Sequence, residues 1–380
     1  MPRKNINELP ILYIAHKFVE WQDEETGGLS KEKSGYHKIW SLHPESYSVL
    51  FNWDIPFVSN MLYRVYEASG YEKYKQSADC YARYVVTETL KIRKPPSGSS
   101  YEFGAALWSF AQYKKANPID TSLDEEAHEL YRWTLNRRVD KPQYFSLGYT
   151  ISSGPDTGKD NGFSNDLTLI GLGLMGYYHI FKENEALEHA RRLSHYFTTP
   201  YQPGTANGVW SPSMGTWVVG PWRAIGWELL PKFYSNEVGW TPNHSGVMYL
   251  TQLYQATGDT EVRKVCLGHL AWSLDYCQFD DGAIGAHSKD DKWLGATGAS
   301  ITEYVGFMKA NMLDEDYANR YRPNVLKALE FLKKYSTPEK MPKDGVIFVT
   351  NESTPEPDVV VTMFLAWIVE GLLDGLELEK

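Results

Sequence analysis

The sequence predicts an all-α protein, an (α/α)6 toroid in which six helical hairpins close into a ring, with short β-hairpin loops at one rim. Two observations carry this prediction. A unit recurs along the chain, in which a helix rich in small apolar residues is followed by a more charged amphipathic helix and a Gly/Pro-rich loop. Two further helices are left over at opposite ends of the chain, where their pairing would close the ring.

Five complete hairpins can be read from apolar residues at helical spacing. Each first helix carries fewer charges than the second, so we expect the first helices to form an inner wall and the second helices an outer wall. The paired segments, in chain order, are 52–70 with 71–90, 100–116 with 123–138, 163–181 with 184–197, 241–258 with 259–277, and 297–312 with 314–335.

The sixth hairpin is expected from segment 355–373, which resembles a first helix, and segment 6–22, which resembles a second one. Loops that follow second helices share the motifs TGGLS, NGVWS, DDGAIG and KDGVIF. Asn-Gly and Asp-Gly before β-branched or aromatic residues favour tight hairpin turns, so a short β-ribbon is expected in these loops. No change of composition divides the chain, which predicts one domain over residues 1–380.

Composition excludes some partners and favours others. The net charge is −10, and no basic face suggests nucleic acid. No apolar run approaches about 20 residues, so no membrane-spanning helix is expected, and the first residues lack signal-peptide features, which predicts a cytoplasmic protein. Aromatic residues make up 14% of the chain. Such rings suit the flat C–H faces of sugars, although they suit ordinary cores as well.

Two motifs are better explained by structure than by a cofactor. Gly171, Gly173 and Gly176 match GxGxxG, but they lie within a helical pattern with no preceding strand, so they are predicted to be packing glycines rather than a nucleotide site. The ten histidines and three cysteines show no zinc-ligand spacing. No metal or other cofactor is therefore predicted.

Carboxylates and one histidine recur at the starts of the first helices, where a ring would gather them on one face. At any one position, a carboxylate that complements the helix dipole or caps the helix is the simpler interpretation. Asp166 stands out because an apolar helix follows it, and a carboxyl group in an enclosed aromatic cleft can hold and donate a proton. The full set is Asp54, Glu102, Asp166, His244, Glu303 and Asp358.

The chain resembles the six-hairpin glycosidases, in particular the unsaturated rhamnogalacturonyl hydrolases and unsaturated glucuronyl hydrolases. The resemblance covers most of the chain. It is carried by FNWD at 51–54 with the hairpin that follows, by FSNDLTL at 163–169, by DGAI at 281–284, and most specifically by DKWLGATGAS at 291–300.

This resemblance implies a hydrolase that acts on an oligosaccharide ending in a 4,5-unsaturated uronic acid. In that family an Asp protonates the enol-ether double bond and helps to deliver water to C5. Asp166 would be this acid/base, and Glu102 would take the place of a second carboxylate, which the family has as Asp. The residues implied to bind substrate are Trp53, Asp54, Trp210, Trp217, Arg223, Asn243, His244, Trp293 and Ser300.

The fourth first helix departs from the family pattern and leaves other functions open. Where the family usually has an Arg, this chain has Asn243 and His244, although Arg223 could compensate. Asn243 and His244, together with Tyr249, also suit a polysaccharide lyase acting on a uronate-containing glycan. His244 with His287 could serve a sugar epimerase. A non-catalytic sugar-binding protein is the remaining alternative.

Overall fold

The computed structural model divides into two compact units. Unit 1 comprises Met1–Val85 and Ser273–Lys380, and unit 2 comprises Val86–Trp272. The residues that the structure describes are 10–34, 38–39, 49–50, 55–92, 94–95, 100–136, 164–202, 208–218, 239, 244–285, 289, 291–337, 348–350, 359–360 and 362–379. The prediction of a single domain stays a prediction.

Helices dominate the described residues. They are α1 (Ile11–Glu20), α2 (Lys31–Ser34), α3 (Ile55–Ser69), α4 (Glu72–Ile92), α5 (Ser100–Ala116), α6 (Asp124–Leu135), α7 (Ser164–Phe181), α8 (Asn184–Thr198), α9 (His244–Thr257), α10 (Thr260–Trp272), α11 (Leu294–Lys309), α12 (Glu315–Tyr335) and α13 (Thr362–Leu378), with a π-helical turn over Ser273–Cys277. All five hairpins read from the sequence are present. None of the described helices is long and apolar enough to cross a membrane.

In unit 2, three hairpins form two layers. The first helices α5, α7 and α9 pack side by side, and the second helices α6, α8 and α10 each pack against the first helix of the same hairpin. Helix α5 is buried on every side from Ser100 to Tyr113, whereas α8 buries only one face. The low charge of α5 therefore reflects enclosure all round, and the charge of α8 reflects an exposed face.

The first helices approach each other closely at glycines. A Cβ on Gly173 of α7 would lie 2.4 Å from the carbonyl oxygen of Gly104 in α5. Unit 1 repeats this contact, because a Cβ on Gly371 of α13 would lie 2.6 Å from Cα of Gly298 in α11. In both units the glycines are the fifth residue of one helix and the tenth residue of the other. The GxGxxG motif therefore serves helix packing, as predicted.

Substitution of Gly173 by alanine is expected to destabilise the protein, because backbone on the opposite helix occupies the new methyl position. Such overpacking costs up to about 3 kcal/mol, and alanine recovers about 1 kcal/mol of helix propensity. Urea unfolding should show the net loss in the free energy of unfolding. Gly306→Ala is the matched control, since nothing lies within 4 Å of its Cβ position. Equal stability of Gly173→Ala and wild type would contradict the packing interpretation.

In unit 1 the first helices α11, α13 and α3 pack side by side, α12 packs against α11, and α1 packs against both α13 and α3. The helices nearest the two ends of the chain therefore meet, as the sixth hairpin requires. Two polar links join α3 to α13: Arg64 donates to Asp374 at 2.6 Å, and Asn60 donates to Glu370 at 2.5 Å.

The described strands are short and belong to the loops. They are β1 (Leu29–Ser30), β2 (Lys38–Ile39), β3 (Val49–Leu50), β4 (Trp210–Ser211), β5 (Thr216–Trp217), β6 (Ile284–Gly285), β7 (Asp291–Trp293), β8 (Phe348–Thr350) and β9 (Val359–Val360). Hairpins β4–β5 and β6–β7 agree with the predicted ribbons. Gly282, in the predicted Asp-Gly turn, has φ +96°, which favours glycine.

Strands β1 and β3 also pair antiparallel within one loop, between α1 and α3. The pairing of β2, β8 and β9 differs from the prediction of one ribbon per loop. Strand β8 adds to β7 and makes a three-stranded sheet from two separate loops, and β2 pairs in parallel with β9 from the far end of the sequence. Turn motifs report local bends only, whereas the partner of a strand depends on which loops the helices bring together.

Candidate active site

Three polar residues occupy the first turns of the first helices in unit 2. Glu102 is the third residue of α5, Asp166 is the third residue of α7, and His244 is the first residue of α9. The side chains of Glu102 and His244 are 6% and 1% exposed. The backbone of Asp166 belongs to α7, while its side chain lies outside the described part of the structure.

Direct contacts show that the N-terminal halves of these three helices are neighbours. A Cβ on Gly104, two residues after Glu102, would lie 2.5 Å from Cα of Ile170 in α7. Thr168, two residues after Asp166, has its Oγ1 2.5 Å from Oγ of Ser245 in α9. Helix α7 is thus flanked on one side by the start of α5 and on the other by the start of α9.

The chemistry of this group is that of proton transfer and anion recognition. An enclosed carboxyl group can hold a proton near neutral pH, and an imidazole can exchange a proton or, when charged, bind an anion. Helix N-termini present backbone N–H groups that attract negative charge. Within the described residues, no group of three or more His, Cys, Asp or Glu side chains is arranged to hold a metal ion.

Trp217, predicted to be a sugar wall, lies in the interior of unit 2. Its side chain is fully buried, its indole N–H donates to the carbonyl of Phe197 at 2.8 Å, and its ring lies 4.6 Å from the ring of His269. Because both faces of the ring are enclosed, neither face is free to stack on a sugar. We therefore leave Trp217 out of the proposed sugar contacts.

Trp210 lies on the strand paired with that of Trp217, and their rings are 6.2 Å apart. It is 7% exposed, and its ring approaches Gly268 of the second helix α10, where a Cβ would lie 2.7 Å from the ring. The β4–β5 hairpin therefore packs its tryptophans against the second-helix layer. Trp210 is likewise left out of the proposed sugar contacts.

Tyr249, which the lyase alternative would use to move a proton, is also engaged elsewhere. It is fully buried, and its hydroxyl donates to the carbonyl of Ala190 in α8 at 2.5 Å. Burial raises the pKa of Tyr249 well above its ordinary value. Its hydroxyl therefore points to the second-helix layer and stays protonated, which removes one of the observations that favoured a lyase.

Trp293 and Ser300 belong to unit 1. Trp293 precedes α11 and is partly exposed, and its ring lies 5.3 Å from that of Phe364 in α13. Ser300 lies within α11 and is 2% exposed. Glu303 also lies within α11 and is 2% exposed. The other predicted residues lie outside the described residues: Trp53, Asp54, Arg223, Asn243, His287 and Asp358.

Sequence reasoning missed the buried polar links between helices. The pair Thr168 and Ser245 has no motif, because a Thr in a helix and a Ser in the next hairpin carry no signal of contact. The links from α3 to Glu370 and Asp374, in contrast, are indicated by the sequence. Two carboxylates four residues apart interrupt the apolar run at 364–376, and such charges inside an apolar helix need partners.

No protein-family model matches the chain, and no curated protein matches it significantly. Solved structures match over nearly the whole chain. The GH76A alpha-1,6-mannanase from Salegentibacter sp. HEL1_6 is 12% identical, with a TM-score of 0.66 and coverage of 97% of this chain and 98% of that one. A possible member of the GH105 family from Salmonella enterica is 13% identical, with a TM-score of 0.65 and coverage of 100% and 95%.

A glycosyl hydrolase family 88 protein from Bacteroides vulgatus is 11% identical, with a TM-score of 0.62 and coverage of 97% and 98%. A polysaccharide lyase and a sugar epimerase from a ruminal bacterium, each 12% identical, also match, with TM-scores of 0.62 and 0.61. The chain therefore has the six-hairpin glycosidase fold, an (α/α)6 toroid, and the predicted resemblance is confirmed at the level of fold. Since hydrolases, a lyase and an epimerase share this fold, the fold alone leaves the reaction open.

Proposed function

We propose that the protein is a glycoside hydrolase that acts on a uronyl or related oligosaccharide, with Asp166 as its general acid/base. The observation that carries this proposal is that α7, which has Asp166 in its first turn, packs between α5, which carries Glu102, and α9, which begins with His244. The fold supports it, because glycoside hydrolases are among the structures that share it. A variant of the mannanase in which two aspartates are replaced by asparagine is inactive and was solved with alpha-1,6-mannotriose.

The proposed substrate is a 4,5-unsaturated uronyl group at the non-reducing end. The carboxyl group of Asp166 gives its proton to C4, and a water molecule adds its oxygen to C5 and returns a proton to Asp166. The net change is the addition of one water molecule across the double bond, so that the acid is regenerated. The hydrated ring then opens and releases the partner sugar.

Glu102 and His244 have supporting roles in this proposal. Glu102 is the second carboxylate of the site, and its negative charge favours the protonated form of a neighbouring carboxyl group. His244 binds the uronate carboxylate where the family usually places an Arg, with Asn243 and Arg223 as further candidates in unit 2. Trp53, Asp54, Trp293 and Ser300 stay predicted sugar contacts on the strength of the family resemblance alone.

The test is incubation of the purified protein with unsaturated uronyl disaccharides while absorbance at about 235 nm is followed. Absorbance should fall because the conjugated double bond is consumed, and mass spectrometry should show the saturated sugar released. The same disaccharides with a saturated uronyl end are the control and should stay intact.

Three other results would overturn parts of the proposal. A rise in absorbance with intact polyuronate would mean that the enzyme is a lyase. Release of mannose from alpha-1,6-mannotriose, without any change in the uronyl disaccharides, would retain the hydrolase and reject the uronyl substrate. Interconversion of free sugar isomers, with neither signal, would identify an epimerase.

A further inference from the structure

A buried hydrogen bond between two side chains joins α7 to α9 near their first turns. Oγ1 of Thr168 and Oγ of Ser245 are 2.5 Å apart, and these residues are 0% and 5% exposed. Each hydroxyl is thereby removed from water and satisfied by the other helix. Loss of either hydroxyl would leave its partner buried without this bond, which is costly.

This bond lies beside two residues of the proposed site. Thr168 follows Asp166 by two positions in α7, and Ser245 follows His244 directly in α9. A helix rises only about 1.5 Å per residue and is stiff over such a distance. Movement of Thr168 relative to Ser245 therefore moves the backbone of Asp166 relative to that of His244.

An apolar contact between the same two helices restrains their separation. A Cβ on Gly171 of α7 would lie 2.6 Å from Cγ and Cδ2 of the Tyr249 ring in α9. Apolar contact of this kind fixes the distance between the helices, but it hardly opposes sliding along their axes because it is not directional. A hydrogen bond is directional and weakens steeply when its angle changes. The bond from Thr168 to Ser245 is thus suited to setting the axial register.

We propose that Thr168 and Ser245 are positioning residues, which hold the first turns of α7 and α9 in the register that the acid/base Asp166 and the carboxylate-binding His244 need. This inference rests on the proposed function. Neither residue touches the substrate in this proposal. Their effect is geometric, and a misplacement of about 1 Å can lower a rate by about 100-fold.

The experiment is a set of substitutions at the two positions, read by steady-state kinetics on the unsaturated uronyl disaccharide. Thr168→Val and Ser245→Ala should each lower kcat by about 10- to 100-fold, because reacting groups are displaced. Thr168→Ser keeps the hydroxyl and should restore most of the activity. The double variant should be no worse than the worse single variant, since both substitutions break the same bond.

The matched control is Thr134→Val. Thr134 is also fully buried, and its hydroxyl donates to the carbonyl of Leu130 within α6 at 2.9 Å, away from the proposed site. It should lose stability comparable to that lost by Thr168→Val and keep its kcat. Equal kcat values for the two variants, additive effects in the double variant, or failure of Thr168→Ser to restore activity would overturn the inference.

A second readout separates this inference from the proposed function. The imidazole C–H resonance of His244, assigned with His244→Gln, should shift in Thr168→Val and keep its position in Thr134→Val. An unchanged resonance in Thr168→Val would reject the positioning role even if the enzyme is a hydrolase. A wild-type protein with no hydrolase activity would reject the proposed function, while the resonance would still report on the register of the two helices.

Discussion

Replacement of Asp166 by asparagine is expected to reduce hydrolysis of an unsaturated uronyl disaccharide by about 100- to 10,000-fold, the usual contribution of a general acid/base. Asparagine keeps the shape of the side chain and its ability to cap a helix, but it has no proton to give to C4. Binding of the substrate should change little, so the loss should appear in kcat rather than in KM.

The control must exclude the simpler interpretation, in which Asp166 merely complements the dipole of α7. Asp316→Asn serves this purpose, because Asp316 is an exposed carboxylate in the first turn of α12. It removes the same charge from a helix N-terminus and should leave kcat unchanged. Full activity of Asp166→Asn would reject Asp166 as the acid/base, and Glu102→Gln would then be the next variant to measure.

The second large effect is expected in unit 1, at the ion pair between α3 and α13. Asp374 is 2% exposed, and Arg64 donates to it at 2.6 Å, with Lys309 farther away at 3.5 Å. Burial alone would lower the pKa of the Arg64 guanidinium, but the carboxylates of Asp374 and Glu370 outweigh this effect and raise it. The arginine is therefore charged, and it is the nearer partner of a buried carboxylate.

Arg64→Met is expected to lower the free energy of unfolding by about 3 kcal/mol, the low end of the range for a buried pair that loses one partner. The low end applies because the Arg64 side chain is 25% exposed and because Lys309 remains near Asp374. Urea unfolding followed by circular dichroism gives the value. The size of this loss reflects an uncompensated buried charge rather than the strength of the pair itself.

Two further variants test that explanation. The double variant Arg64→Met with Asp374→Leu removes both charges and should recover most of the stability, since apolar replacement of a buried pair is often neutral. Arg132→Met removes the exposed pair with Glu129, whose side chains are 67% and 37% exposed, and should cost at most about 1 kcal/mol. A double variant as unstable as Arg64→Met would contradict the charge argument.

Repetition and helical periodicity were sufficient to predict the hairpins. Helical spacing predicts a helix with few charges over 100–116, and α5 has those bounds. The lack of a preceding strand predicts that the GxGxxG glycines serve packing, and Gly173 lies against Gly104. These features were accessible because each depends on residues close together in the sequence.

Side-chain roles are harder to predict, because composition does not show which way a side chain points. Trp217 and Tyr249 suit a sugar site by residue type. In the structure, Trp217 donates to Phe197 and Tyr249 donates to Ala190, and both acceptors belong to the second helix α8. An aromatic residue with a polar tip suits a sugar or a core equally well. Only the packing of the helices distinguishes these two environments.

The sequence by itself therefore determined the helices, their pairing into hairpins and the polar residues at the first turns of the first helices, because helix periodicity and turn chemistry are local. Tertiary structure alone decided that α7 lies between α5 and α9, that Thr168 meets Ser245, and which aromatic rings are enclosed. These contacts join residues dozens of positions apart. They arise from the packing of whole helix faces, which no short stretch of sequence specifies.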